Sequence, residues 1–130
     1  METIFTKIAE GEIPAYKILE SEQFLAFLDI SPLKRGHMLV IPKKHTDDLF
    51  DIDDQELAEM IVFAKKVAKA LKKTYQCRKV GVAVLGLEVP HAHIHLVPIN
   101  EERDINFSNA KLSLEDDEMK VIADTIKGNL

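Results

Sequence analysis

The chain contains a single cysteine, Cys77, which excludes an internal disulfide and a CxxC zinc pair. It has no apolar run long enough to cross a bilayer, and residues 1–12 mix charged and apolar side chains without the apolar centre of a signal peptide. A reduced, cytoplasmic setting is therefore expected. Internal repeats and low-complexity stretches are absent as well, which sets aside solenoids and flexible linkers. Positive charge is in the minority: 17 Lys and Arg against 22 Asp and Glu give a net charge of −5. That balance argues against a protein that coats nucleic acid or adheres to anionic membrane, since both rely on basic patches. It leaves room for a local basic pocket holding one phosphate.

What remains is a globular composition, with 46% hydrophobic and 30% charged residues over 130 positions, and the length predicts one domain spanning 1–130. A short helical segment, Thr3 to Ala9, stops at Gly11 and Pro14. Strands are predicted at Tyr16–Leu19 and Phe24–Leu28, joined by a hairpin connection at Glu20-Ser21-Glu22. Asp29-Ile30-Ser31-Pro32 and Gly36 mark a loop. His37–Ile41 is continuously apolar after its first residue, which predicts a central strand covered on both faces. Asp53, with Glu56 three residues on, opens a long helix. Its stripe of Leu57, Met60, Ile61, Ala64, Val67, Ala68 and Leu71 lies on one face, with acids early and lysines late. Val62 and Phe63 fall outside that stripe, as a wide core face or a dimer seam. Val80–Leu85 and His93–Pro98 are two further strands. Asn100–Ala110 reads as loop, and Ser113 as the cap of a last helix through Lys127. Clustered strands predict an α+β domain with a mostly antiparallel sheet.

Three of the five histidines fall in His91-Ala92-His93-Ile94-His95-Leu96-Val97. On a strand, alternation would place all three imidazoles on one side at spacings of roughly 6.6–6.8 Å, with Ala92, Ile94 and Leu96 on the other. One reading is a solvated or backbone-satisfied histidine stripe. Another is a metal site, although on a regular strand the first and third rings stand too far apart to share an ion easily. A third is nucleophilic catalysis. Neutral imidazole, with an ordinary pKa of roughly 6.5, attacks phosphorus well, and flanking rings can orient it or protonate a leaving group.

The stretch resembles the histidine triad signature, His-φ-His-φ-His-φ-φ with φ apolar. The likeness extends upstream through Thr3-Ile4-Phe5-Thr6-Lys7-Ile8, Glu12-Ile13-Pro14, Asp29-Ile30-Ser31-Pro32 and Gly36-His37-Met38-Leu39-Val40-Ile41-Pro42-Lys43-Lys44-His45, in the order and spacing of the Hint-like branch. It covers a core at residues 3–98 and leaves 99–130 as a C-terminal extension. The resemblance implies a five-stranded antiparallel sheet with one long helix and a C-terminal helix, usually paired into a homodimer with a continuous ten-stranded sheet. It implies hydrolysis or transfer of nucleoside monophosphate groups from a purine nucleotide substrate, such as an AMP or GMP phosphoramidate, with no metal or other cofactor. His93 matches the nucleophile that attacks the α-phosphorus, His91 the residue that orients it, and His95 the histidine near the phosphate and leaving group. His37 matches a fourth active-site histidine, Asp29 the ribose-binding acid and Ile30 the residue lining the base pocket. Each has a plainer role available: Asp29 as a turn cap, Ile30 and His37 as core residues. His45 reads as the start of a loop, and Lys43 and Lys44 as a solvated pair. The alternatives to an enzyme are a nucleotide-binding module with little turnover and a histidine-ligated metalloprotein.

The chain departs from the family it resembles in two places. Ahead of the triad, Val84-Leu85-Gly86-Leu87-Glu88-Val89-Pro90 puts Leu87 and Glu88 where relatives carry a Gln and a Ser. Leu87 offers no hydrogen bond, and an ionised Glu88 facing the site would repel phosphate; facing outward it would be a solvated turn residue, and it could also favour a cationic leaving group. In the extension, Arg103, Asn106, Ser108 and Asn109 are candidates to replace the lost polar groups. Zinc-binding members of the family use an N-terminal cysteine pair; Thr3 and Thr6 stand at the matching places, so that zinc is not expected.

Overall fold

The computed structural model describes residues 2–130. The order of elements is α1 (Ile4–Ala9), β1 (Lys17–Glu20), β2 (Phe24–Leu28), β3 (Met38–Pro42), α2 (Asp54–Thr74), β4 (Lys79–Ala83), β5 (Ile94–Ile99) and α3 (Asp116–Gly128), with short 3-10 turns at Leu49–Asp51 and Glu102–Ile105. The strands form one antiparallel sheet in the order β1-β2-β3-β5-β4. This is the α+β architecture expected from the sequence, with β3 in the middle and every one of its residues buried.

Strand alternation divides the sheet into two unlike faces. Ala26, Leu28, Met38, Val40, Ile94 and Leu96 point to the side covered by α2 and α3, and with Met60, Val67, Leu71, Met119 and Ile126 they form the main core. Leu25, Phe27, Leu39 and Ile41 point the other way, where α1, through Phe5 and Ile8, covers them together with Ile13, Ala15 and Val89. That second face is thinly roofed, and His93 and His95 belong to it: His95 pairs with Leu39 across β3 and with Ala83 across β4.

Local chemistry explains the boundaries. Thr3 and Thr6 make a reciprocal capping box at the start of α1. Asp53 caps α2 by accepting from the Glu56 amide at 2.9 Å. Gly36, at φ +89°, turns the chain into β3; a Cβ there would lie 2.6 Å from a Tyr75 ring carbon and 2.7 Å from Leu71 Cδ1. Only glycine lets the segment that delivers His37 pass this close to the end of α2.

Four expectations are corrected. The triad strand begins at Ile94, so His91 and His93 precede it; the Ala92 amide donates to the Thr46 carbonyl at 2.7 Å rather than to a neighbouring strand. The preceding strand ends at Ala83 rather than Leu85. Ser113 does not cap the last helix, whose N-cap is Glu115 without a side-chain hydrogen bond. Ile61, assigned to the buried stripe, is exposed together with Val62, whereas Phe63 joins the core as the wide-face reading held, its ring 5.6 Å from that of Phe24. Among the described residues no helix is long and apolar enough to cross a membrane.

Candidate active site

His37, His91, His93 and His95 are all buried, and their hydrogen bonds define the proton positions. A carbonyl only accepts, so each ring nitrogen facing one must carry hydrogen. His93 Nδ1 lies 2.6 Å from the His91 carbonyl oxygen; the neutral ring donates there and keeps its lone pair on Nε2. His91 Nε2 donates to the Pro42 carbonyl at 2.8 Å, which leaves a lone pair on Nδ1, 3.1 Å from Thr3 Oγ1 and 3.4 Å from Thr6 Oγ1. His37 Nδ1 accepts from the Leu33 amide at 3.0 Å. Its proton therefore sits on Nε2, 3.0 Å from His95 Nδ1, so His95 accepts at Nδ1 and carries its own proton on Nε2. The His93 and His95 rings meet at 4.9 Å. The arrangement thus sets a lone pair on one imidazole beside an N–H donor on the next.

Burial favours the neutral form of His37, His91 and His95. It is the main force holding His37 and His91 below their ordinary pKa; Asp29 opposes it at His37, and the Pro42 carbonyl opposes it at His91. Burial, with His93 and His37 adding to it, pushes His95 down to about 3. No buried side-chain nitrogen or oxygen among the described residues lacks a hydrogen-bond partner.

Asp29 sits at the rim. One carboxylate oxygen accepts from the Ser31 amide at 2.8 Å and the other lies 3.6 Å from His37 Nε2, so it caps its turn and also faces the histidines. Ile30 beside it is 74% exposed. Asp29, His37 and His95 stand close enough to share an ion. The Leu33 amide argues against it: with Nδ1 occupied as an acceptor, neutral His37 has no lone pair left on the nitrogen facing the cluster. Two hollows of about 480 Å³ flank the N-terminal half of α2 and touch no histidine.

Five residues at or around the site were not assigned to it from sequence. Phe5 of α1 packs edge-on against His91 and His93, with ring centroids 5.9 and 5.0 Å away. Thr3 and Thr6 bond His91. His45, read as plain loop, donates from Nε2 to the Pro90 carbonyl at 2.7 Å, its ring 5.3 Å from that of His91. Phe107, from the C-terminal extension, lies against His95 at 4.7 Å and His37 at 6.1 Å. In the sequence, Thr3, Phe5, Thr6 and His45 stood inside the family-like blocks without a site role, and Phe107 carried no signal. By contrast, Asn106, Ser108 and Asn109 engage one another and Arg103 in local turns, and Arg103 pairs with Glu101 at 2.8 Å. Lys43 pairs with Glu20 at 2.6 Å. Leu87 and Glu88 are exposed, and Glu88 makes no ion pair among the described residues.

Residues 10–102 match the family model described as the HIT domain. A HIT-like protein of Borreliella burgdorferi is 36% identical over 135 residues, covering 98% of this chain and 97% of its own. The adenosine 5'-monophosphoramidase of Schizosaccharomyces pombe is 33% identical over 132 residues, covering 100% of this chain and 99% of its own. The crystal structure of a HIT-like protein involved in cell-cycle regulation from Bartonella henselae superposes with a TM-score of 0.85 at 31% identity, over 99% of this chain and 96% of that one.

Proposed function

The chain belongs to the histidine triad family, and from that premise we propose that it is a nucleotide hydrolase that cleaves the P–N bond of a purine nucleoside phosphoramidate, in the manner of an adenosine 5'-monophosphoramidase. The observation that carries this reading is the 2.6 Å hydrogen bond from His93 Nδ1 to the His91 carbonyl, which leaves the Nε2 lone pair free and aimed away from the backbone.

In this reading His93 Nε2 attacks the α-phosphorus and forms a nucleotidyl-histidine while the P–N bond to the amine breaks. The Nε2–H of His95, held by the His37 bond at Nδ1, donates to a phosphate oxygen or to the departing nitrogen. Water then attacks phosphorus, breaks the N–P bond to His93 and releases the nucleoside monophosphate. His91 orients the nucleophile. Asp29 receives the ribose hydroxyls and Ile30 lines the base. The steps call for no metal. Substitution of His93 by Asn should abolish release of a fluorescent amine from an adenosine phosphoramidate, with AMP still bound; release at the wild-type rate would overturn the assignment.

The exposed loop with Leu87 and Glu88 favours a second reading, a nucleotide-binding module with little turnover, because it brings no polar side chain to the phosphate. AMP binding without amine release by the wild type would select it. We also propose that residues 1–130 act as one cytoplasmic domain that pairs into a homodimer. β4 bonds only to β5 and leaves Val82, Val84 and Leu85 exposed along the outer strand and the chain after it, an edge that natural sheets seldom leave uncovered. A monomeric mass at micromolar concentration would remove the dimer.

A further inference from the structure

We propose that Thr3 is a positioning residue for the proposed nucleophile, acting through a proton that its hydroxyl donates to His91. The inference rests on His93 being that nucleophile, and its observations lie in α1 and the segment before β5.

Thr3 has two roles in one side chain. As the N-cap of α1 it needs only an acceptor, and its Oγ1 accepts from the Thr6 amide at 3.2 Å. The hydroxyl hydrogen is left over for another partner. Thr3 is 8% exposed, and of the two acceptors in reach His91 Nδ1 at 3.1 Å is nearer than Thr6 Oγ1 at 3.3 Å, which already accepts from the Thr3 amide. That nitrogen must accept, because Nε2 of the same ring donates to Pro42. Thr6, accepting from the Thr3 amide at 3.2 Å, is the weaker donor at 3.4 Å.

His91 is fully buried and its ring is thereby held at both nitrogens, between α1 and the end of β3. Its amide donates to the Val89 carbonyl at 2.8 Å, and its own carbonyl receives His93 Nδ1–H. The path from Thr3 to the His93 lone pair is thus one side-chain bond, one residue of backbone and one backbone-to-ring bond. This matters because residues 91–93 precede the strand and lack a ladder to hold them. With the Thr3 hydroxyl removed, His91 Nδ1 becomes a buried acceptor served only by the longer Thr6 contact. Ring flipping or protonation of His91 then becomes competitive, and the carbonyl that fixes His93 shifts with it.

The test compares wild type, Thr3→Val and Thr3→Ser in two assays. Nitrogen-15 spectra of the histidine rings should show wild-type His91 with its proton on Nε2, Thr3→Ser the same, and Thr3→Val with a mixed tautomer or a protonated ring. Hydrolysis of an adenosine phosphoramidate should lose roughly tenfold in kcat in Thr3→Val, with KM within about twofold, and recover most of it in Thr3→Ser. If Thr3→Val fails to fold, Thr3→Asp keeps the cap and lacks a neutral hydroxyl donor, and its His91 should be protonated. A wild-type His91 protonated on Nδ1, a Thr3→Val enzyme with unchanged kcat, or a Thr3→Ser enzyme as slow as Thr3→Val would each overturn the proposal. A wild type that hydrolyses nothing overturns the proposed function instead, while the tautomer spectra still decide the Thr3–His91 bond.

Discussion

Lowering the pH should unfold this protein through His95, by an amount the structure sets. Burial, with His93 and His37 nearby, pushes the folded imidazole from 6.5 down to about 3. In the unfolded chain it titrates near its ordinary value. Between those two values the unfolded state binds a proton that the folded state refuses, so stability rises with pH across the window. The contribution is fully present above pH 6.5 and is lost as pH falls toward 3. Each unit below 6.5 removes about 1.4 kcal/mol, and the loss reaches about 2 kcal/mol at pH 5. Urea unfolding of wild type and His95→Asn at pH 7.5 and pH 5 measures it. His37 and His91 are held low in the same way and destabilise both proteins in acid, and the Asn amide oxygen can replace His95 Nδ1 as the acceptor for His37 Nε2–H, so the difference between the two reports His95. Wild type should lose about 2 kcal/mol more than the variant. Equal losses would refute the reasoning and mean that His95 is hydrated and free to take a proton in the folded state.

Phe107→Ala should open His95 to water and raise its pKa by NMR titration, whereas an unchanged titration would remove Phe107 from the site. The double substitution Thr3→Cys and Thr6→Cys should let the protein retain about one zinc ion after dialysis. With the Thr3 and Thr6 hydroxyls replaced, the His91 Nδ1 lone pair is freed while Nε2 donates to a backbone carbonyl, and His45 donates to one as well, the outer support that metal-bound histidines use; absence of zinc by elemental analysis would contradict this. Glu88→Ala should weaken any preference for amine-bearing over neutral leaving groups, and an unaltered preference would show that Glu88 stays in solvent. Leu96→Ala, at a position 1% exposed in the main core, should cost about 2–5 kcal/mol in denaturant unfolding without changing KM.

The strands and helices were largely legible because their apolar periodicities are clear and, at Asp53, the cap obeys a local rule. The histidine cluster was legible as chemistry but not as geometry. Even alternation from His91 to Val97 suggested one strand, yet the Ala92 amide goes to Thr46, a partner 46 residues away that no local pattern announces. Phe107 is a lone aromatic in a polar loop with no period to mark it, and its contact with His95 depends on how the extension folds back. Leu112 donates to the Pro32 carbonyl at 2.8 Å and Lys34 pairs with Asp104 at 3.3 Å, tertiary links that hold it there. Thr3 was matched in the sequence to a zinc-cysteine place, and neither its cap nor its bond to His91 had a local pattern to announce it. Phe63 fell outside the main stripe only because the buried face of α2 is wider than that stripe.

In the proposed mechanism His93 carries the nucleotidyl group from the phosphoramidate to water. That role is tested most directly by mixing the protein with an adenosine phosphoramidate in a single turnover, quenching under alkaline denaturing conditions that preserve a phosphohistidine bond, and mapping the adduct by mass spectrometry. One adenylyl group should appear on the peptide containing His93, forming with amine release and disappearing with AMP release, and absent from His93→Asn. An adenylyl group on His95 or another residue, or wild-type turnover by His93→Asn, would contradict it.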